Sequence, residues 1–409
     1  MTRRIALLTL ALVAAPLSAA EPFFFQPKDR VVFLGDSITE QYQYSSDIEL
    51  YLTTRFPQGE MLFLNAGIGG DTANGGAGRF QDQVLSDKPT KVTINFGMND
   101  GGYNAFNAAN NKVYAEKTDA MLVAAKKAGV QVALVSPNAV DWRNRPNFKV
   151  YLETQKQFYA PLATLAKKHG VPFADQYAVT RTALEAMEKA EPKPAKVNPF
   201  PDGVHTSPAG GLLMAHAILT QLHAPADVSS AEVSAKTGMA KGTHAKLSDV
   251  VASGGGVSFT RLDDALPLPV QKDWLSMLPY ANNLDDLNRY TLTVTDLAEG
   301  DYAVRIDGSE VTATTAAALA KGVNLGNLTA GPLFEQGNKV SKAIDAKNNI
   351  VRGRFHVVTR TVLPDWLRAA GEPLKQEERA KRLALIEKAQ ADVYKLAQPT
   401  AHKFEVVKK

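Results

Sequence analysis

The chain of 409 residues contains no cysteine. This absence excludes disulfide bonds, thiol nucleophiles and cysteine-ligated zinc sites, so any nucleophile is an oxygen or a nitrogen. An excess of one charge is also missing, because 46 Lys and Arg stand against 42 Asp and Glu. Phosphate binding depends on clustered excess cations, and we therefore expect no nucleic-acid partner. At roughly 150 residues per domain, the length predicts two to three domains.

The chain also lacks an apolar run long enough to span a bilayer, which takes about 20 residues. Its amino terminus instead has the pattern of a signal peptide over 1–20: two arginines, an apolar stretch over 5–15 and small residues at 18–20. Pro16 ends the apolar stretch, which disfavours a membrane anchor. We expect cleavage before Glu21 and a secreted or periplasmic protein without a membrane span.

Short apolar runs alternate with helical patterns over 21–224, the predicted catalytic domain. The expected strands are Val31–Leu34, Met61–Asn65, Val92–Phe96, Val130–Ser136 and Val171–Phe173. The expected helices are Asp47–Arg55, Gly78–Leu85, Lys112–Ala128, Lys149–His169 and Pro208–Leu222. Because the strands are mostly apolar on both faces and alternate with helices, the sequence predicts an α/β fold with a doubly wound, flavodoxin-like parallel sheet.

The pattern changes after residue 224. Residues 225–256 are rich in Ala, Ser and Gly and predict a flexible connection. A small β-rich unit is expected over 257–330, with strands at Val257–Arg261, Tyr290–Thr295 and Asp301–Ile306, the last two joined as a hairpin. The region 331–409 is expected to be helical, with a helix over Lys375–Leu396 whose apolar stripe packs on the catalytic domain.

A candidate nucleophile follows the first predicted strand, in Gly35-Asp36-Ser37. Carboxyl ends of parallel strands form the ligand crevice of open α/β sheets, which favours Ser37 as a nucleophile. The alternative is that Ser37 only caps the next helix. A serine nucleophile needs a base and a carboxylate that orients it. Of seven histidines, His205 alone has an aspartate three residues before it, Asp202.

Two further segments follow the second and third strands and open on the same edge of the sheet. Gly70 lies in the Gly-rich stretch 65–72, and Asn99 lies in Gly-Met-Asn-Asp. A bare backbone N–H at Gly70 and the Asn99 carboxamide are suitable donors to a tetrahedral oxyanion. A phosphate-binding loop is the alternative for the Gly-rich stretch, but the Gly-Lys-Ser/Thr ending of a P-loop is missing.

In this order the four segments resemble the GDSL, or SGNH, hydrolase superfamily over about residues 28–223. The resemblance implies an SGNH hydrolase fold and a serine esterase that needs neither a metal nor an organic cofactor. It assigns the triad to Ser37, His205 and Asp202, and the oxyanion hole to the Ser37 amide, Gly70 and Asn99. The first block ends in Ile-Thr rather than in the leucine of the family name. The Gly-x-Ser-x-Gly elbow of the larger α/β-hydrolase family is absent.

Candidate substrate contacts lie in loops at the same sheet edge: Asp71, Asn74, Tyr103, Phe106, Asn138, Trp142, Arg143 and Arg145. Amides, aromatics and guanidinium groups suit a hydroxyl-rich or anionic substrate, although they are also ordinary loop residues. Secreted bacterial members of the family include carbohydrate esterases, so the resemblance implies short acyl (acetyl) esters, small-molecule or polysaccharide. Lipase, lysophospholipase or thioesterase activity is the alternative. A noncatalytic carbohydrate-binding protein, with Trp274 and Tyr280 stacking on sugars, is another.

Overall fold

The computed structural model describes residues 22–190, 197–253 and 255–409. The predicted signal peptide at 1–20 lies outside the described residues. The amino-terminal unit is built on five strands, each directly followed by a loop or helix that carries polar residues. The strands are β1 (Arg30–Gly35), β2 (Leu62–Gly67), β3 (Lys91–Asn95), β4 (Gln131–Val135) and β5 (Phe173–Ala174).

The five strands form one parallel sheet in the order β2-β1-β3-β4-β5. Almost every residue in them is buried, because helices cover both faces. The chain leaves β1 first toward β2 and later returns to β3 on the other side of β1. Such a reversal of direction opens a crevice at the carboxyl ends of the strands. The predicted doubly wound α/β sheet is confirmed.

Nine helices of this unit lie within the described residues. They are α1 (Ser37–Glu40), α2 (Gln43–Arg55), α3 (Ala73–Arg79), α4 (Met98–Gly101), α5 (Ala108–Lys127), α6 (Lys149–Tyr159), α7 (Pro161–His169), α8 (Gln176–Ala190) and α9 (Pro208–Gln221). The predicted single helix over 149–169 is divided at Pro161, which has no N–H to continue the ladder. Helix α8 was not predicted.

Nine more strands and a short helix follow in the carboxyl-terminal half. They are β6 (Asp227–Ser234), β7 (Ala240–Thr243), β8 (Ala245–Ser253), β9 (Gly256–Asp263), β10 (Arg289–Thr295), β11 (Asp301–Ile306), β12 (Ser309–Thr315), α10 (Ala316–Lys321), β13 (Val323–Asn324) and β14 (His402–Lys408). They form two sheets, ordered β13-β10-β6-β7 and β12-β11-β14-β9-β8. One apolar core, with Val233, Leu292, Phe259, Val304 and Phe404, is shared by both sheets, which makes this unit a sandwich.

Three features of this half differ from the expectations. The region 331–409, expected to be helical, ends in strand β14, which pairs with β9 and β11. The stretch 225–256, expected to be a flexible connection, contains β6, β7 and β8. Strand β6 buries several residues in the core, whereas β8 buries none. The expected hairpin of β10 and β11 is not formed, because β10 pairs with β6 and β13 while β11 pairs with β12 and β14. The hairpin lies one strand later, where Asp307 and Gly308 have φ of 51° and 81° in a two-residue turn.

Two long helices, α11 (Pro332–Gly353) and α12 (Asp365–Leu396), pack on the catalytic domain. Helix α12 begins before the predicted start at residue 375 and runs through Pro373. Ion pairs with little solvent exposure join this region to the parallel-sheet unit: Lys347 Nζ of α11 lies 2.8 Å from Glu49 Oε2. Asp87 Oδ1 lies 2.6 Å from Arg354, in the segment between the two helices, and 3.0 Å from Arg379 of α12. Removing α11 would therefore leave the buried Glu49 carboxylate without its cationic partner. No helix within the described ranges is long and apolar enough to cross a membrane.

Candidate active site

Ser37 lies at the carboxyl end of β1, as the first residue of α1. The cap of this helix is the preceding residue, because Asp36 Oδ1 accepts a hydrogen bond from the Ile38 N–H at 3.0 Å. The alternative role for Ser37, helix capping, is thereby taken by Asp36. Ser37 Oγ instead lies 2.8 Å from Nε2 of His205.

His205 lies in the loop that leads into α9, 168 residues from Ser37 in the chain. Its Nδ1 lies 2.7 Å from Asp202 Oδ2, while Asp202 Oδ1 accepts the backbone N–H groups of Val204 and His205 at 3.0 and 2.8 Å. Partial burial acts to raise the pKa of Asp202, but the hydrogen bonds from His205 and Val204 outweigh it and hold that pKa below its usual value. Asp202 is therefore an anion at neutral pH.

Neighbouring loops hold the His205 loop in place. Gln41, after α1, accepts hydrogen bonds from the Thr206 N–H and hydroxyl, both at 3.2 Å. The Asp141 N–H donates to the Gly203 carbonyl at 2.9 Å. Gly203 has φ of +90°, and a Cβ there would lie 2.8 Å from the Asp141 carbonyl oxygen, so this close approach requires glycine. The position of the imidazole is thus set by contacts on both sides of its loop.

The candidate oxyanion donors come from the loops after β2 and β3. Gly70 is exposed and has φ of +74°, a conformation that other residues rarely adopt. Asn99 lies in α4, where its Nδ2 donates to the Asp71 carbonyl at 2.9 Å and its Oδ1 accepts the Tyr103 hydroxyl at 2.9 Å. One N–H of the carboxamide remains after the bond to Asp71.

Arg79 and Asp100 hold these loops in place through hydrogen bonds, and neither was predicted from the sequence. Arg79 Nε donates to Asp71 Oδ2 at 2.8 Å, and its Nη2 donates to the Ala66 carbonyl at the end of β2 at 2.8 Å. The Asp100 carboxylate accepts the backbone N–H groups of Ala73 and Gly97 at 2.9 and 3.1 Å, which ties the second loop to the third. Asp100 stands at the third helical position after Gly97, a capping-box spacing that is visible in the sequence. Arg79 gives no comparable local signal.

Two carboxyl groups beside the site have raised pKa values. Burial, opposed in part by the Ile38 N–H, raises the pKa of Asp36 to about 7. Burial likewise raises the pKa of Asp100 to about 6, against the hydrogen bonds that it accepts from Ala73 and Gly97. The carboxylates of Asp71 and Asp100 add to the effect at Asp36 through repulsion. The buried neighbours of Ser37 and Asn99 in the chain, Asp36 and Asp100, are therefore carboxyl groups that titrate near neutral pH.

Three of the predicted substrate contacts are held in hydrogen-bond networks of the protein. The Asp71 carboxylate pairs with Arg79, and the Asn138 amide donates to the Val204 carbonyl at 3.3 Å. The Arg143 guanidinium pairs with Asp141, each side chain being 1% exposed. These side chains build the loops on which the site stands. Sequence spacing showed that the three residues belong to these loops but not which way their side chains point.

The other predicted contacts are more open. Asn74 and Arg145 are exposed, and Trp142 is half-buried with its Nε1 donating to Glu188 at 3.0 Å. Phe106 is half-buried against Phe158. The proposed sugar-stacking residues of the carboxyl-terminal half lie elsewhere: Trp274 is buried in the core, and Tyr280 is half-buried beside α8. Among the described residues, no group of three or more His, Asp or Glu side chains is arranged to hold a metal ion.

Comparison with known proteins defines the class. Residues 33–211 match the model of the GDSL-like lipase/acylhydrolase family. A solved structure of BT4096, a gut microbial diltiazem-metabolizing enzyme, is 25% identical and has a TM-score of 0.80 over 94% of this chain and 98% of its own. Axe2, an acetylxylan esterase from Geobacillus stearothermophilus, is 20% identical with a TM-score of 0.42 over 48% of this chain and 95% of its own. No curated protein sequence matches the chain.

The fold and the family define a hydrolase that acts on esters. The match of residues 33–211 to the GDSL-like lipase/acylhydrolase family confirms the resemblance drawn from the four motifs. The alternative of a noncatalytic carbohydrate-binding protein is set aside. The likeness to BT4096 extends over almost the whole chain and therefore includes the sandwich and the carboxyl-terminal helices.

Proposed function

We propose that the chain hydrolyses its ester through an acyl-enzyme on Ser37, with His205 as the general base and Asp202 as the carboxylate that orients it. The observation that carries this proposal is the continuous contact of the three side chains, with 2.8 Å from Ser37 Oγ to His205 Nε2 and 2.7 Å from His205 Nδ1 to Asp202 Oδ2. Both distances lie within the range for proton transfer.

In the proposed first step, His205 Nε2 takes the Ser37 proton while Oγ bonds to the ester carbonyl carbon. The tetrahedral oxyanion accepts hydrogen bonds from the Ser37 and Gly70 amides and the Asn99 carboxamide. The intermediate collapses as the bond to the alcohol oxygen breaks, and His205 gives that oxygen the proton. Water then attacks the acyl-enzyme by the same route, releasing the acid and restoring Ser37.

Replacing the nucleophile tests this assignment. The Ser37→Ala variant is expected to lose nearly all hydrolysis of p-nitrophenyl acetate, by a factor of about 10⁴ or more, because no oxygen remains to form the acyl-enzyme. Incubation with phenylmethylsulfonyl fluoride should add one sulfonyl group to the wild type and none to the variant. Ser276→Ala, on an exposed loop, is the matched control and should keep full activity. Equal activity of Ser37→Ala and the wild type would refute the mechanism.

We further propose short acyl esters, acetyl above all, of hydroxyl-rich molecules as substrates. The side chains of His205 and Asp202 are 37% and 44% exposed, so the site is open enough for a bulky alcohol portion. Asn74 and Trp142 at the same edge offer an amide and an aromatic surface to such a group. BT4096 is a diltiazem-metabolizing enzyme, which supports small-molecule esters among the substrates.

Two assays separate the substrate classes. We expect rates on p-nitrophenyl esters to fall steeply from acetate to decanoate, and acetate to be released from acetylated xylan or oligosaccharides. A maximum at long chains would instead identify a lipase or lysophospholipase. Preference for an acyl thioester over the matching oxygen ester would identify a thioesterase.

Export is a separate proposal, based on the pattern of residues 1–20. We propose that this segment is removed and that the protein acts outside the cytoplasm, secreted or periplasmic. Amino-terminal sequencing of protein from the native host tests it. A first residue near Glu21 is the expected result, and an intact amino terminus on protein in the cytoplasmic fraction would contradict it.

A further inference from the structure

Three tyrosine hydroxyls surround the loop after β3. The Tyr114 hydroxyl donates to the Phe96 carbonyl and that of Tyr151 to the Gly97 carbonyl, each at 3.0 Å. Both of these bonds end on the backbone. The third hydroxyl, that of Tyr103, differs because it donates to the Oδ1 of the Asn99 side chain at 2.9 Å.

The Asn99 carboxamide is therefore held at both of its ends. The Asp71 carbonyl can only accept a hydrogen bond, so the NH₂ group faces it, at 2.9 Å. The oxygen end then faces Tyr103, whose hydroxyl supplies the donor that this oxygen needs. Because the carboxamide is planar, fixing its oxygen and one N–H also fixes the direction in which its second N–H points. A hydrogen bond donated to Oδ1 also polarises the amide, which makes that N–H a stronger donor.

The position of Tyr103 is itself strongly determined. Its φ is +57°, a left-handed conformation that is unfavourable for residues other than glycine. The ring is stacked on Phe148 with centroids 5.2 Å apart, and it meets the edge of Tyr151 at 5.9 Å. Burial, together with the Asp36 and Asp202 carboxylates, raises the pKa of Tyr103 well above its usual value, so the hydroxyl keeps its proton. Strained backbone held by surrounding packing is typical of functional sites.

We propose that Tyr103 is a positioning residue for the oxyanion hole, whose hydroxyl directs the remaining N–H of Asn99 at the developing oxyanion. This role differs from the substrate contact expected from the sequence, and it rests on the proposed function of Asn99. A positioning role predicts an effect on kcat that disappears when Asn99 is removed. A substrate contact predicts an effect on KM that does not depend on Asn99.

The test is a double-mutant cycle of Tyr103→Phe and Asn99→Ala, measured with p-nitrophenyl acetate. Loss of an oxyanion donor lowers kcat by about 10²–10³-fold, which is the expectation for Asn99→Ala. We expect Tyr103→Phe to lower kcat by about 10-fold with KM changed by less than about twofold, because the donor remains but is less well directed. In the Asn99→Ala background, Tyr103→Phe should cause no further loss.

Two further variants complete the design. Tyr302→Phe removes the same atom from a tyrosine in the sandwich, where the hydroxyl donates to Ala298 at 3.0 Å, and should leave kcat unchanged. Phe148→Leu keeps the Tyr103 hydroxyl but removes the ring on which it stacks. It should lower kcat less than Tyr103→Phe does, again with no effect in the Asn99→Ala background. This second route keeps the test decisive if Tyr103→Phe folds poorly.

The outcomes separate the inference from the function on which it rests. Wild-type kcat in Asn99→Ala would overturn the proposed oxyanion hole itself. A large loss in Asn99→Ala together with wild-type kcat in Tyr103→Phe would overturn only the role of Tyr103. A raised KM in Tyr103→Phe, or an equal loss in both backgrounds, would restore Tyr103 as a substrate contact.

Discussion

Replacing Asp202 with asparagine removes the negative charge that faces His205. Asparagine keeps an oxygen for the two backbone N–H groups that Asp202 Oδ1 accepts, those of Val204 and His205, so the loop is expected to keep its shape. Its NH₂ group then points a donor at Nδ1, which lies 2.7 Å from Oδ2 in the wild type. The imidazole is forced to carry its proton on Nε2, and that nitrogen can no longer accept the Ser37 proton.

The size of the effect follows from the exposure of the pair. In a triad with a buried acid, this tautomer error lowers kcat by about 10⁴-fold. Asp202 is 44% exposed and His205 37%, so water replaces part of the lost stabilisation of the imidazolium. The charge-assisted hydrogen bond alone is worth about 1.5–3 kcal/mol, which corresponds to a factor of about 10–150. We therefore expect Asp202→Asn to lower kcat by about 10²–10³-fold, between the two limits.

The measurement is kcat for p-nitrophenyl acetate across about pH 5–9, a range in which Asp202 stays ionised because its hydrogen bonds outweigh the effect of burial on its pKa. Asp307→Asn is the matched control. Asp307 Oδ2 lies 2.6 Å from Nδ1 of His402 and is 42% exposed, and its Oδ1 accepts the Lys403 N–H, but the pair lies in the sandwich. A folded Asp202→Asn variant with kcat within about threefold of the wild type would refute the reasoning.

Three further predictions concern single groups. Gly70→Ala, whose Cβ meets no atom within 4 Å, strains a φ of +74° and should lower kcat about 10-fold, less than Asn99→Ala, in the same ester assay. Burial raises the pKa of Asp36 in the folded state from the ordinary 3.8 to about 7, so the stability that protonated Asp36 contributes is lost as the pH rises through 7. Asparagine does not titrate. The free energy of unfolding of Asp36→Asn, relative to that of the wild type, should therefore rise by up to about 4 kcal/mol between low and high pH, as measured by thermal unfolding. Lys347→Met, which leaves the Glu49 carboxylate buried alone, should lower the unfolding free energy in urea by about 3–5 kcal/mol, and adding Glu49→Gln should restore most of it. The Asp36 expectation would be contradicted if the relative stability of Asp36→Asn did not change with pH. The Lys347 expectation would be contradicted if Lys347→Met and the double variant Lys347→Met/Glu49→Gln were equally stable.

The alternation of apolar strands and helical patterns was enough to predict the parallel sheet. Strands such as β1 and β4 are apolar on both faces, and this local property requires helices on each side. The pattern of apolar residues was not enough to predict the strands and pairing of the sandwich. Strand β8 has no buried residue along its described length, and β14, the last segment of the chain, lies between β9 and β11 in its sheet. A strand without a buried face, such as β8, and a strand whose partners are distant in the chain, such as β14, both leave weak local signals.

The candidate site divides in the same way. The amino-acid sequence by itself indicated Ser37, Gly70, Asn99 and His205, because each follows a strand or precedes a helix, and the ends of parallel strands share one edge. Tertiary structure alone decided what the side chains around them do. Arg143 turns to Asp141, and Tyr103 turns to Asn99. Main-chain position follows from hydrophobic periodicity, which is local, whereas the direction of a polar side chain depends on which buried donors and acceptors the rest of the fold brings within reach.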